Sequence, residues 1–411
     1  MERVRLGLIG CGGMGTRHIY GLRELTQTPF CNVELAALCD VRRENAELAA
    51  DEAEKLLGVR PQVFTDVETM ARSVPDLAAV DVVTDPSVHH SVVCQALDLG
   101  LHVMVEKPLA ITVKACQRMI DAAQRNNRLL SVAENYRRDP SARLVNHLLS
   151  RGAIGRPYLA TYHSVSPGND IFITPWRHLK DRGGPLIDMG VHFSDLIRYQ
   201  LGDITEVYGD VRLLEPVRRR PNSLNSPYAF YRNRHAEMDA EVPATAEDMS
   251  TAIFRMASGA VVSWIVGVGG SGSVGGNMIM GASGVIEGFG TRGGGTRMKA
   301  ATGELDYDAL VAAEDDFTLE PLAAHLFPTR MAAGDSDVDW KLLALEYFEL
   351  AEAILQGRTL EIDGIEGLKD VAAVYAIFES SLAGRAVSMD EIESGELYAY
   401  QEQIDAALEL E

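Results

Sequence analysis

The 411-residue chain is 46 % apolar and 24 % charged, which excludes a disordered or fibrous protein and leaves room for at least two hydrophobic cores. A formal net charge of −21 and a pI near 4.9 exclude polyanions, nucleic acid and anionic membrane alike, as favoured partners. Five cysteines, Cys11, Cys31, Cys39, Cys94 and Cys116, have no closely paired spacing, so neither a disulfide framework nor cysteine-ligated zinc is expected.

Val4 to Ile9 is a short apolar run of the kind buried on both faces of a parallel sheet. It ends in Gly10-Cys11-Gly12-Gly13-Met14-Gly15, a G-x-G-x-x-G sequence, and an amphipathic segment runs on through Leu25. In that setting Gly10 allows the tight turn, Gly12 lets backbone approach a pyrophosphate, and Gly15 lets the helix pack on the sheet. The phosphates would sit on the helix N-terminus, where free N–H groups and the dipole favour negative charge. A second strand, Val33 to Cys39, leads into Asp40, 25 residues after Gly15. That is close to the roughly 20 expected for the carboxylate that binds adenosine ribose hydroxyls. It favours NAD, while Arg42 and Arg43 leave NADP possible.

Further strands read at Gln62–Thr65, Ala79–Thr84, His102–Val105 and Leu129–Ala133, with helical patterns at 43–57, 66–73, 88–99 and 112–126. This alternation predicts an α/β fold, a doubly wound parallel sheet with its ligand at the carboxyl ends of the strands. Thr84, Pro86, His90, Glu106 and Lys107 follow those ends. Pro108 biases Lys107 away from helical geometry, so that the lysine is expected to project into the crevice.

From about residue 135 the alternation stops. A helix around 140–151 precedes strand patterns at Tyr158–Val165, 205–214, 250–256, 260–268 and 276–281, the pattern of an α+β domain on a large, mostly antiparallel open sheet. The division expected is a dinucleotide-binding domain over 1–134 and a substrate and oligomerisation domain over 135–411. Residues 215–240 form a basic, aromatic excursion suited to a substrate lid or a subunit contact. Gly-rich 267–276 and 288–295 read as strand connections, and helices at 339–356 and 364–383 close the chain, the first with an apolar stripe suited to core packing.

In Gly183–Asp195, Asp188 and His192 stand four apart on one helix face if the segment is helical beyond Pro185. A carboxylate beside an imidazole orients it for acid–base work, so Asp188 is expected to orient His192. A metal reading through Asp188, His192 and Asp195 lacks a further ligand nearby, and no metal is expected.

These motifs together resemble the glucose–fructose oxidoreductase/inositol dehydrogenase (Gfo/Idh/MocA) family: the glycine loop, Asp40, Thr84 to His90, Glu106-Lys107-Pro108, Trp176-Arg177, and Gly184 through Asp188 to His192. Ala246-Glu247-Asp248 and Gly281-Ala282-Ser283-Gly284 add to the likeness. At Asp85 the chain departs from the family, whose members often place proline directly after the threonine. The resemblance implies an NAD(P)-dependent oxidoreductase that interconverts a secondary alcohol and a ketone on a sugar, inositol or related polyol. It implies catalytic roles for Lys107, Asp188 and His192, sugar contacts at Arg137 and His163, and cofactor contacts at Gly10, Gly12, Gly13, Met14, Gly15, Asp40, Thr84, Pro86, His90, Glu106, Lys107, Trp176 and Arg177. It further implies a homodimer or homotetramer formed through the second-domain sheet. An NAD-dependent glycosidase and a non-catalytic NAD-binding sensor are the alternatives. No apolar run spans a bilayer and no apolar signal core precedes the first strand, so a cytoplasmic location is expected.

Overall fold

A computed structural model describes residues 2–222, 228–290, 292, 295–301, 303–328 and 337–410. Six strands, β1 (Val4–Ile9), β2 (Val33–Cys39), β3 (Gln62–Phe64), β4 (Ala79–Val82), β5 (His102–Glu106) and β6 (Leu130–Ala133), form an all-parallel sheet in the order β3-β2-β1-β4-β5-β6. Near-complete burial of β1, β2, β4 and β5 explains their continuous apolar composition. The strand order reverses between β1 and β4, which opens a crevice at their carboxyl ends. The helices are α1 (Gly13–Thr26), α2 (Arg43–Leu57), α3 (Val67–Ser73), α4 (His89–Asp98) and α5 (Val113–Asn126).

One face of this sheet packs against α1, α2 and the helix Val338–Gln356, in a core that joins Leu6 and Leu8 to Leu342, Ala344 and Leu350. The apolar stripe of the 338–356 helix therefore completes the first sheet although it is distant in sequence. The other face continues into a larger core shared with the second sheet.

That second sheet has nine strands, in spatial order Gly303–Asp306, Arg297–Ala300, Gly284–Glu287, Val274–Gly281, Pro157–Ser166, Val261–Val268, Met249–Met256, Ile204–Arg212 and Val387–Ser388. Every pairing is antiparallel except that between Pro157–Ser166 and Val261–Val268. Ala160, Tyr162, Phe254, Val262 and Trp264 point inward. They face α7 (Gly184–Leu201), which follows α6 (Pro140–Ser150), and the helix Gly364–Ala383. A Cβ at Gly190 would lie 2.9 Å from Val374, so glycine lets α7 and the 364–383 helix touch. The opposite face is open, with Tyr208 56 % and Ile253 43 % exposed.

The 215–240 excursion is partly ordered into regular structure. Val217–Arg219 pairs antiparallel with Glu241–Pro243, and a helix spans Ala229–Glu237; residues 223–227 lie outside the described residues. Buried Arg218 anchors its base, donating to Asp248 Oδ2 at 2.6 Å and to the Val268 carbonyl at 2.7 Å. Within the glycine-rich 288–295 segment, residues 291, 293 and 294 likewise lie outside the described set. Among the described residues no helix is long and apolar enough to cross a membrane.

Candidate active site

The glycine turn is built as its residue types require. Gly10 has φ +98°, and a Cβ there would meet the Val83 carbonyl oxygen at 2.5 Å; a Cβ at Gly15 would meet the Gly10 oxygen at 2.1 Å. The loop therefore closes against β4 on one side and α1 on the other. Helix α1 has Gly12 at its N-cap with no side-chain cap, which leaves the N–H groups of its first turn to an incoming anion. Asp40 Oδ2 accepts from Cys11 N at 2.8 Å, and Oδ1 accepts from Arg42 N at 2.8 Å. The carboxylate is thereby fixed at the mouth of the cleft.

That cleft, about 660 Å³, is lined by Gly10, Gly12, Gly13, Met14 and Asp40 and by Thr84, Asp85 and Pro86. It continues past Glu106 and Lys107 to Trp176, Arg177 and Asp188. A dinucleotide fits this donor set: glycine backbone and free helix N–H groups for phosphates, Asp40 for ribose hydroxyls. Asp85, the departure from the family pattern, caps the Pro86–Val88 turn by accepting from Ser87 N at 2.9 Å. The 215–240 excursion, read from sequence as a lid or a subunit contact, reaches this cleft with Phe230, Tyr231 and Arg234. Phe230 lies 3.4 Å from where a Gly12 Cβ would be, and the Tyr231 ring occupies the space a Gly13 side chain would need.

His90 does not line the cleft. Val88, just before α4, and Ser91, Val92 and Gln95 on it face the cleft as one helical stripe, and His90 falls on the other side, in a separate surface groove. Its neighbour His89 is the buried one, with ring nitrogens 3.0 and 3.2 Å from the Pro108 and Thr84 carbonyl oxygens. It ties the loop after β4 to the turn after β5.

At the inner end of the cleft Lys107 Nζ donates to the Asp188 carbonyl at 3.0 Å and to Asp188 Oδ1 at 3.1 Å. Arg177 Nε donates to Asp188 Oδ2 at 3.1 Å, and its guanidinium lies 4.4 Å from the Trp176 ring centroid. Burial alone would raise the Asp188 carboxyl, but Lys107 and Arg177 hold it well below the usual carboxylate range.

The expectation that Asp188 orients His192 is corrected here. The Lys107 ammonium and the Arg177 guanidinium take one Asp188 oxygen each. His192 Nδ1 instead lies 2.7 Å from the carboxylate of Glu134, directly after β6. Glu134 is 2 % exposed and also accepts from Tyr136 N at 2.9 Å. The Tyr136 ring stacks on the imidazole, with centroids 4.0 Å apart and planes 10° from parallel. Burial works against the Glu134 charge, yet adjacent His192 keeps its carboxyl below the ordinary value. Among the described residues no hydrogen bond engages His192 Nε2, and the side chain keeps 9 % exposure.

Arg137 and His163 lie apart from this group. Arg137 is a buried partner of Asp195, donating from Nε to Oδ2 at 2.9 Å. His163 alternates with inward Tyr162 and so sits on the open face of the second sheet, 3.2 Å from Ser263 Oγ. Asp188, His192 and Asp195 each have a different partner and do not converge on one point.

The family model for the NAD-binding Rossmann fold of the Gfo/Idh/MocA oxidoreductases matches residues 4–134, and that for the Gfo/Idh/MocA C-terminal domain matches 142–287. The chain belongs to this family. Among curated relatives of this Gfo/Idh/MocA protein, levoglucosan dehydrogenase of Pseudarthrobacter phenanthrenivorans is 30 % identical over 273 residues, 64 % of this chain and 67 % of that one. Myo-inositol 2-dehydrogenase of Thermotoga maritima is 27 % identical over 51 % of this chain, and the match spans 59 % of its own length. A solved levoglucosan dehydrogenase in complex with NADH and L-sorbose superposes with a TM-score of 0.74 at 24 % identity, over 95 % of this chain and 100 % of that one, and has the same fold.

Proposed function

We propose that this protein is an NAD-dependent dehydrogenase that interconverts a secondary alcohol and a ketone on a sugar or polyol. The observation that carries the reading is the meeting of the Lys107 ammonium with α7 at Asp188, one turn before His192, at the inner end of a cleft that begins at the glycine turn. Gly12, Gly13 and the first turn of α1 would hold the pyrophosphate of NAD, and Asp40 the adenosine ribose. Bound NAD supplies the hydride acceptor. Lys107 binds and polarises the substrate oxygen, while Asp188 and Arg177 fix the ammonium in place. His192 receives the hydroxyl proton at Nε2. The curated relatives, named for levoglucosan and myo-inositol, support a polyhydroxylated substrate.

The division at about residue 134 belongs to the same proposal, with the 338–356 helix lent to the first unit. A second copy would cover the open sheet face around Tyr208 and Ile253, giving a dimer or tetramer. A cytoplasmic location goes with five free thiols and a soluble dinucleotide cofactor.

The test is NADH formation with levoglucosan, myo-inositol and a panel of other sugars and polyols. Lys107→Ala should lower kcat about 10²- to 10⁴-fold and leave NAD binding, followed by tryptophan fluorescence, within a few-fold. Equal loss of both in a folded variant, or silence of the parent enzyme across the panel, overturns the reading.

A further inference from the structure

Glu134 is not among the residues that composition, spacing or family likeness singled out, yet its carboxylate is the one in contact with the imidazole assigned to proton transfer. The contact is specific. The 2.7 Å separation is short for a neutral pair, the carboxylate is 2 % exposed, Tyr136 N points at Oε1, and the Tyr136 ring fixes the imidazole plane. Asp188 is engaged by Lys107 and Arg177 instead, and the hydrogen bond of the ring goes to Glu134.

We infer that Glu134 is the positioning residue for proton transfer at His192, holding the hydrogen on Nδ1 so that Nε2 faces the substrate as the acceptor. The inference rests on the role proposed for His192 above. An ionised carboxylate can only accept, so the ring nitrogen against Glu134 must donate, and the lone pair of the neutral ring is on Nε2. In the oxidation the substrate O–H bond breaks and its proton goes to Nε2. The C–H bond breaks with its electron pair leaving as hydride to the nicotinamide cofactor, and the C=O bond forms. Nδ1 keeps its hydrogen throughout, and Glu134 takes no proton. The imidazolium so formed faces a carboxylate already in place. A buried carboxylate beside a neutral ring is costly to folding, and that cost is relieved when the ring becomes charged.

Other charges lie around this pair: Asp188, one turn earlier on α7, and Glu106, at the end of β5, interact with His192, Lys107 acts on Glu134, and the Arg292 guanidinium lies 5.6 Å from the Tyr136 ring centroid. All remain in the variant that tests the idea. Glu134→Gln keeps the shape and removes the charge, and its amide N–H₂ can donate to Nδ1 and drive the hydrogen to Nε2. Its kcat with NAD and the best sugar or polyol of the panel should fall at least about 100-fold, as expected when a positioned base is lost. KM and NAD affinity should stay within about threefold, and the acid limb of the kcat–pH profile should move to lower pH. Glu134→Asp should recover a substantial part of the rate. In the free enzyme, the downfield proton resonance of His192 Nδ1–H should be lost in both Glu134→Gln and His192→Asn. A Glu134→Gln enzyme with unchanged kcat and pH profile, or one whose loss Glu134→Asp shares in full with no movement of the profile, overturns the assignment. His192→Asn separates the two ideas: if it turns over normally, the role of His192 itself fails, whereas an inactive His192→Asn beside an unimpaired Glu134→Gln sinks only Glu134.

Discussion

His18 and His192 are both buried imidazoles held by carboxylates, but they are held differently. His18, on α1, has Asp81 2.7 Å from Nδ1 and Glu106 3.1 Å from Nε2, with the Tyr347 ring edge-on at 5.9 Å, and its side chain is fully sealed. Both ring nitrogens must donate, so the ring is a fixed cation. Burial opposes that charge, but Asp81 and then Glu106 outweigh it and push the pKa up to about 10. His192 has one carboxylate, a flat aromatic shelf and, among the described residues, one nitrogen left uncommitted, one turn of α7 beyond the cleft-lining Asp188. The number of committed nitrogens, more than burial itself, separates His18 from the ring proposed to accept the proton.

The largest effects should come from removing each ring in turn. His192→Asn should lower kcat about 10²- to 10⁴-fold and lower the urea midpoint less than His18→Asn does, since only one buried carboxylate, Glu134, loses its ring, and it keeps the Tyr136 N–H. His18→Asn should do the reverse. It leaves Asp81 and Glu106 buried without their shared cation, at a cost of roughly 3–5 kcal/mol of stability. A His18→Asn enzyme as stable as the parent would dissolve the distinction.

Next in size is the pH dependence. The folded-state pKa of His18, about 10, lies above its ordinary value of 6.5. Its contribution to stability is therefore complete below pH 6.5, declines as pH rises above that, and is gone beyond about pH 10. The slope from this one site reaches about 1.4 kcal/mol per pH unit. Urea unfolding at successive pH values between 6.5 and 10 should show the parent losing stability faster than His18→Asn. Parallel curves would mean that His18 is not charged in the folded state.

The same contrast explains what could be read from the chain beforehand. The glycine turn, Asp40 and Lys107 were visible because each follows directly on a strand with a strong local pattern, and the switch point brings such strand ends together. The α7 pair Asp188 and His192 was visible as spacing, but spacing within one helix shows only that helix. The true partner of His192 lies 58 residues away, after β6. Lys107 and Arg177 claim Asp188 from two other segments. His163 and His90 were open to correction from sequence, since strand alternation puts His163 opposite Tyr162 and helical phase turns His90 from Val88 and Ser91. The composition of 215–240 marked it as unusual, but nothing local says that Phe230 and Tyr231 settle on the glycine turn.

The smallest expected effect isolates the shelf under His192. Tyr136 lies parallel to the imidazole at 4.0 Å, whereas the ring beside His18 meets it edge-on at 87°. A stacked contact of this kind is worth about 0.5–1.5 kcal/mol beyond its buried area. Tyr136→Leu keeps the backbone N–H that Glu134 accepts and removes the stack, so the imidazole can rock about its bond to the carboxylate. Turnover should fall by roughly two- to tenfold, with the acid limb of the pH profile unmoved because the charge on Glu134 is intact. A loss as deep as that of Glu134→Gln would show that the aromatic plane, and not the carboxylate, holds the ring for proton transfer.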